Sequence, residues 1–346
     1  MVKRKTIFQI AATYVGSIVG AGFASGQELL QFFVVFSAKG QIGILVAGIF
    51  FAILGYLIAK IVITYKILGY QLFLHNILGK KLGTIIDIWI GITTFLTISI
   101  MLAGCATVLY QYYSLNYLLG LLVSGMLMLF TLLKGEGGVL GINSLLIPML
   151  IVITVVISIM SFFAGTGEVF AADNNSLIGR QWLKSTILYV AYNIVISLLI
   201  LSSINSIKLN DGLMGTILGG FVLGGIGLIM ISAMLPHSPE ILSVEMPMLF
   251  LADKVHKTAV WFYTPVLLMA MLTTAVANGY GLIARLKDIA VMSYPQLAVV
   301  LVIMSIPVAL LGFGSLISHL YPVFGYIGLV LLCGILYKSI VGKLYL

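Results

Sequence analysis

The sequence predicts an all-α integral membrane protein with ten transmembrane helices. Of its 346 residues, 61% are hydrophobic and 8% are charged, and the mean hydropathy is +1.20. About a quarter of the residues of a soluble domain are charged, so a soluble chain is excluded. The apolar runs continue for roughly 20 residues, which is the length of a membrane-spanning helix. They lack the period-two alternation of polar and apolar residues that a transmembrane β-barrel needs.

Ten apolar runs, each bounded by charged or polar turns, predict the ten spans. They cover residues 6–36, 41–64, 83–112, 115–133, 139–163, 183–206, 212–234, 257–284, 292–313 and 317–339. Two outer loops are long, at 165–181 and 235–256, and the second contains three prolines. We expect one or two short helices in that second loop, lying over the outer mouth of the bundle.

The chain divides between spans 5 and 6 into two halves, residues 1–164 and 165–346, each with five spans. The two halves enter the membrane from opposite sides, which is the parity of a 5+5 inverted repeat. The halves are not visibly alike in sequence. Parity therefore permits an inverted repeat without proving it.

The distribution of basic residues predicts the orientation. An even number of spans places both termini on one side, and with the N-terminus inside, 13 of the 18 Lys and Arg residues face the cytoplasm. The positive-inside rule favours this arrangement. The net charge of +8 comes from short tracts between spans rather than from one patch, so it indicates membrane orientation rather than nucleic-acid binding. Cys105 and Cys333 both lie in apolar runs and predict neither a disulfide nor a metal site.

Span 1 contains three glycines, Gly16, Gly20 and Gly22, near its middle. Each costs a helix about 1 kcal/mol relative to alanine, so we expect a break in this helix. A break at mid-membrane frees carbonyl groups for a cation and points amide groups at an anionic group. Close helix packing through Gly16–Gly20 and Gly22–Gly26 is the alternative, and the spacing alone favours neither.

Span 8 places Ala270, Thr273 and Thr274 on one helix face. Two hydroxyl oxygens and a carbonyl oxygen could therefore converge on one hard cation. The alternative is structural, because threonines in membrane helices usually donate to the carbonyl four residues earlier.

Together the two segments resemble the second sodium site of the LeuT fold, in the amino acid–polyamine–organocation (APC) superfamily. The segment from Gly20 to Glu28, GAGFASGQE, is similar to the bacterial YkvI-like membrane proteins of that superfamily. The resemblance implies a 5+5 repeat with helices 1 and 6 broken, a bound sodium ion, and a substrate site that includes Gly20, Ala21 and Gly22. The sodium ligands that it implies are Gly16, Val19, Ala270, Thr273 and Thr274.

Span 6, the inverted partner of span 1, has no glycine at its centre. This departs from the glycine-bearing break that is common in the fold. The Asn193 amide could satisfy the backbone groups that a break would free. Tyr189, Tyr192 and Asn193 would then line the substrate site, whereas the alternative makes the tyrosines ordinary core or interface residues.

Two acidic residues lie within or next to spans. Glu28, in the outer half of span 1, has no basic residue at helical spacing. It is a candidate substrate-binding residue, attracting an amine or acting as a proton-sensitive gate, unless it is a structural acid. Asp87, near the start of span 3, follows Lys80 and Lys81, which favours an interface residue or an inner gate pair.

With the charge distribution, which places both termini in the cytoplasm, the resemblance implies a sodium-coupled symporter that works by alternating access in the bacterial cytoplasmic membrane. The resemblance implies a small zwitterionic or amine substrate, most simply an amino acid. The expected partners are that small molecule and membrane lipid, with no nucleic acid. The alternatives are a proton-coupled transporter and a non-transporting sensor with the same fold. No group of residues suggests acid, base and nucleophile roles, so an enzyme is not expected.

Overall fold

A computed structural model describes residues 2–134, 139–164, 181–202, 204–238, 240–287 and 291–341. All regular secondary structure within these ranges is helical, which confirms the predicted all-α class. The first long outer loop lies outside the described residues, apart from Gln181.

Each of the ten predicted spans contains helix. The first span is built from α1 (Val2–Ile18), α2 (Ala21–Ser25) and α3 (Gln27–Phe32). The other α-helices are α4 (Ala38–Thr64), α5 (Tyr70–Tyr113), α6 (Tyr117–Lys134), α7 (Val139–Ala164), α8 (Trp182–Leu201), α9 (Leu209–Met234), α10 (Pro247–Val255), α11 (Lys257–Leu286), α12 (Tyr294–Ala309) and α13 (Phe313–Val341). Among the described residues, eight helices are long and apolar enough to cross a membrane. Shorter apolar helices occupy the first and ninth spans. We call the side of the bundle on which α1 begins the N-terminal side.

Span 1 is broken where its glycines predict. The N–H of Gly20 donates to the Ile18 carbonyl at 2.8 Å, so it is not the helical donor to the Gly16 carbonyl four residues earlier. A second interruption follows at Gly26, whose φ of +84° is in the left-handed region that favours glycine. A Cβ there would also lie 2.5 Å from the end of the Met234 side chain. The predicted break in span 1 is confirmed.

The predicted break in span 6 is wrong. Residues Trp182–Leu201 form one uninterrupted α-helix, α8, which contains neither glycine nor proline. The side-chain nitrogen of Asn193 donates to the Tyr189 carbonyl four residues earlier, at 3.0 Å. The amide therefore bonds within a continuous helix instead of replacing backbone partners across a gap.

The glycine-rich seventh span packs closely against the second. A Cβ on Gly48 of α4 would lie 2.8 Å from the Gly224 Cα of α9, and one on Gly220 would overlap the backbone of Ala52. The backbones of α4 and α9 therefore touch where side chains are absent. This contact joins a span of the first half to one of the second.

Two features lie outside the spans. The first turns of α5, Tyr70–Leu78, are set off from the rest of that helix by Gly79, whose φ is +78°. This short segment was not predicted, because it is far shorter than the roughly 20 residues that identify a span. In the second long loop, residues 235–256, two 3₁₀ turns and α10 confirm the expected short helices.

Candidate functional site

A cavity of about 140 Å³ lies beside the break between α1 and α2. The broken first span, α5, α8, α11 and α13 supply its walls, so both halves of the chain contribute. Most of the lining is apolar, and the polar part is mainly hydroxyl and amide groups. The predicted site residues that line it are Gly20, Ala21, Gly22, Glu28, Tyr192, Asn193 and Thr274.

The Glu28 carboxyl group is held by two tyrosine hydroxyl groups. Glu28 is only 5% exposed. The Tyr192 hydroxyl donates a hydrogen bond to it, and the Tyr321 hydroxyl forms a second one. A carboxylate accepts hydroxyl donors well, so Glu28, Tyr192 and Tyr321 form one polar cluster on the cavity wall, which we call the carboxyl–tyrosine cluster.

Glycine makes room for this cluster. A Cβ on Gly22 would overlap the Glu28 carboxyl group and would lie 3.1 Å from the Tyr321 hydroxyl oxygen. Gly20 differs, because a Cβ there would meet nothing within 4 Å. Gly22 is therefore required by the side chain that faces it, whereas Gly20 serves the break itself.

Aromatic rings close the far side of the carboxyl–tyrosine cluster. The Tyr192 ring lies 5.9 Å from the Phe32 ring and 5.0 Å from the Tyr321 ring, measured between centroids. Tyr189 is fully buried, packs against Phe32 and Phe33, and does not line the cavity. On α8 it lies in the aromatic core beside Tyr192, so this arrangement does not bring it to the cavity, and its place in the substrate site stays a prediction.

The residues proposed for sodium are not all brought to the cavity. Thr274 lines it, and its hydroxyl donates to the Ala270 carbonyl at 2.7 Å. Thr273 lies off the cavity and donates to the Met269 carbonyl at 2.8 Å. Both threonines thus make the backbone hydrogen bonds of the structural alternative. A donating hydroxyl keeps lone pairs that can bind a cation, so the arrangement is compatible with a sodium ligand at Thr274.

The ligands implied on span 1 lie close to the break but outside the cavity lining. Gly16 faces α7, where a Cβ would lie 3.4 Å from the Ile147 side chain, and its carbonyl has lost its helical donor at Gly20. Val19 and Ala270 are buried, with 2% and 5% exposure. The sodium site with this set of ligands stays a prediction.

Several polar lining residues were missed by the sequence reasoning. Asn278 lies one helical turn after Thr274, so the face of α11 already identified could have revealed it. Tyr321 has no local signal, because only the fold brings α13 against α3. The other polar residues missed are Ser17, Thr93, Thr94 and Thr97.

The second membrane acid lies elsewhere and has a different partner from the one expected. The Asp87 carboxylate is 2.8 Å from the Arg285 guanidinium at the end of α11, not paired with Lys80 or Lys81. The same guanidinium donates to the Asp87 carbonyl at 2.8 Å. Gln71, on the short segment before Gly79, donates to the carboxylate at 3.3 Å.

Relatives cover nearly the whole chain. The chain is 27% identical over 344 residues to "Uncharacterized membrane protein YkvI" of Bacillus subtilis, covering 96% of this chain and 95% of that protein. It is 28% identical over 331 residues to "Uncharacterized protein YyaD" of the same organism, covering 95% of each. No family model matches.

Among solved structures, the chain is similar to MhsT crystallised with L-phenylalanine. The TM-score is 0.66 at 15% sequence identity, over 93% of this chain and 87% of MhsT. At this identity the likeness concerns the fold. The chain therefore has the LeuT fold and is similar, over nearly its whole length, to the membrane protein YkvI.

Proposed function

We propose that this protein is a sodium-coupled secondary transporter of a small zwitterionic or amine substrate, acting in the bacterial cytoplasmic membrane with both termini in the cytoplasm. The observation that carries the proposal is a central cavity placed directly beside a broken transmembrane helix. Broken helices beside a mid-membrane cavity are typical of secondary transporters, because the broken ends present unpaired backbone groups to substrates and ions.

The shape of the cavity supports alternating access. Its lining runs from the break toward the N-terminal side, where Ile86 and Leu199 contribute. In the opposite direction the carboxyl–tyrosine cluster and the Phe32 ring follow directly. We infer that this conformation gives access from the cytoplasm and is closed toward the outside. Rocking of the helix bundle against the scaffold, within the proposed inverted repeat of residues 1–164 and 165–346, would reverse the access.

The substrate class follows from the groups on the cavity wall. Glu28 offers a negative charge for an amine, and Gly20, Ala21 and Gly22 bring backbone close to the substrate. MhsT, which shares the fold, holds L-phenylalanine in its crystal structure. An amino acid or a related amine is therefore the substrate class that we propose.

The proposed sodium ligands are the carbonyl groups of Gly16, Val19 and Ala270 and the hydroxyl groups of Thr273 and Thr274. A sodium ion held there would supply positive charge next to the substrate cavity. Of the two threonines only Thr274 lines the cavity, so Thr274→Ala should have the larger effect, and Thr273→Ala tests the proposed ligand that lies off the cavity.

The experiment has two stages. The melting temperature of the purified protein is first measured in sodium, potassium and choline chloride against amino acids and amines. A ligand at a hundred times its Kd adds about 2.7 kcal/mol of stability, which we expect in sodium but not in choline. Uptake of that ligand into sealed proteoliposomes is then measured with an inward sodium gradient.

The outcomes separate the alternatives. Sodium-driven accumulation that Thr274→Ala abolishes and Thr273→Ala reduces less supports the proposal. Binding without accumulation would instead identify a sensor. Accumulation driven by a proton gradient alone would contradict sodium coupling.

A further inference from the structure

Glu28 is the one acidic or basic side chain among the described residues that line the cavity. It is nearly buried within a bundle that crosses the membrane. An ionised carboxylate in such a place is strongly unfavourable unless a positive charge lies next to it. The surroundings of Glu28 therefore decide what can occupy the site.

The elements packed against α3 bring phenol groups to Glu28. On α8 these are Tyr189 and Tyr192, and on α13 the group is Tyr321. The two ion pairs in the part of the chain that the structure describes join Lys254 to Glu240 and Arg285 to Asp87. Glu28 takes part in neither.

Other charged or titratable groups on these elements are directed elsewhere. Lys184, near the start of α8, lies over the Tyr326 ring at 5.4 Å from its centroid. His319, two residues before Tyr321, is exposed, with its ring nitrogen 2.8 Å from the Ser315 carbonyl oxygen. On α9 the acidic residue is Asp211, in the first turn on the N-terminal side. In the described part of the chain, the elements packed against α3 bring no positive charge to Glu28, and the cavity gives the approach to it.

A hydroxyl group both donates and accepts hydrogen bonds. Tyr192 and Tyr321 can therefore donate to an ionised carboxylate, and one of them can accept from a protonated carboxyl group. The carboxyl–tyrosine cluster can take up or lose a proton by rotating O–H bonds, without moving a helix. A cationic group that arrives in the cavity can take the place of the proton.

We propose that the carboxyl–tyrosine cluster is a proton-binding site, and that a proton and the positively charged nitrogen of the transported molecule are alternative occupants of Glu28. When the ammonium group arrives, the carboxylic acid releases its proton to water, and the resulting carboxylate accepts hydrogen bonds from the ammonium. The net charge of Glu28 and its occupant stays zero throughout. The exchange part of this inference rests on the proposed transport function, whereas the proton site does not.

Infrared spectroscopy tests the proton site directly. The carbonyl stretch of a protonated carboxyl group is recorded for the wild type minus Glu28→Gln, from about pH 5 to about pH 9. We expect a band at neutral pH that weakens as the pH rises. Tyr321→Phe retains the carboxyl group and removes one hydrogen bond, so it should shift the frequency of the band without abolishing it. That variant identifies the band independently if Glu28→Gln does not fold.

The exchange is tested with a probe that matches the apolar cavity. 2-Phenylethylammonium chloride carries an ammonium group on an aromatic body, and 2-phenylethanol is its uncharged counterpart. At fixed pH the ammonium should diminish the Glu28 band and release protons to the medium, whereas the alcohol should do neither.

Each result decides a separate point. If no Glu28-dependent band appeared at any pH, the carboxylate would be permanently ionised and the proton site would be overturned. If the ammonium raised the melting temperature but left the band intact, the exchange would be overturned. If the wild type showed the Glu28 band but transported no substrate, that result would count against the proposed transport function and not against the proton site.

Discussion

Glu28 and Asp87 are both acidic residues within the membrane-spanning bundle, yet their partners differ in kind. Asp87 lies 2.8 Å from Arg285 on the N-terminal side, where the two side chains are 19% and 26% exposed. Glu28 lies beside the helix break, nearly buried, with phenol hydroxyl groups as its partners. The paired acid has its counter-charge built into the chain. The acid beside the cavity has no counter-charge among the described residues that line the cavity.

The comparison shows how position in the bundle relates to role. Near the membrane surface, long side chains reach water and each other, so Asp87 can hold α5, α11 and the segment before Gly79 together through Arg285 and Gln71. At the centre, a permanent ion pair would fill the cavity and neutralise its charge. We therefore interpret Asp87 as structural and Glu28 as functional.

We expect the largest effect from a substitution that fills the space now occupied by the Glu28 carboxyl group. Gly22→Ala places a methyl group where the carboxyl group now lies, so Glu28 must move away from Tyr321. We expect at least about tenfold weaker binding of the cationic ligand, or about 1.4 kcal/mol, measured by isothermal titration.

Gly20→Ala is the matched control for that substitution. Its Cβ would meet nothing within 4 Å, and the backbone at Gly20 is extended, with φ −91°. Its binding constant should stay close to that of the wild type. Equal losses in the two variants would mean that general disturbance of the break, rather than Glu28, controls binding.

Local sequence patterns predicted the spans and the first break, because both depend on short-range physics. Runs of apolar residues identify spans, and clustered glycines weaken one helix. The partners of the acidic residues could not be predicted in this way. Tyr321 reaches Glu28, and Arg285 reaches Asp87, only after helices distant in the chain have packed together.

Span 6 shows a different kind of error, in which a feature was predicted that the structure does not contain. The expectation of a second break came from the resemblance, whereas the residues themselves argued for a continuous helix. A stretch without glycine or proline kept its hydrogen bonds, and Asn193 reinforced them at the Tyr189 carbonyl. Where a family pattern and local chemistry disagreed, local chemistry was the better guide for this helix.

A smaller effect is expected at the paired acid. Arg285→Ala leaves a carboxylate with low exposure and no counter-charge, which costs on the order of 1–3 kcal/mol for a partly buried pair. Asp87→Asn should cost less, because the long Arg285 side chain can turn toward water. Both variants should bind the substrate as the wild type does, while thermal unfolding shows the loss of stability.

The double variant completes that test. If the Asp87–Arg285 pair is structural, combining the two substitutions should cost less than the sum of the single changes, because they share one interaction. Abolished ligand binding in Asp87→Asn, with stability unchanged, would reverse the roles assigned to the two acids.

The smallest effect is expected at the exposed pair in the second outer loop. Glu240 lies 2.9 Å from Lys254, and both side chains are largely exposed. The hydrogen bond and the charge of Lys254 lower the pKa of Glu240 below its ordinary value.

A carboxyl group whose pKa is lower in the folded state than in the unfolded state stabilises the fold at pH values above the unfolded pKa. This contribution is lost as the pH falls through the folded pKa. Solvent screens such pairs strongly, so Glu240→Gln should barely change the melting temperature at neutral pH and should leave it unchanged in acid. A large loss at neutral pH would show that this loop pair, like Asp87 with Arg285, holds two elements together.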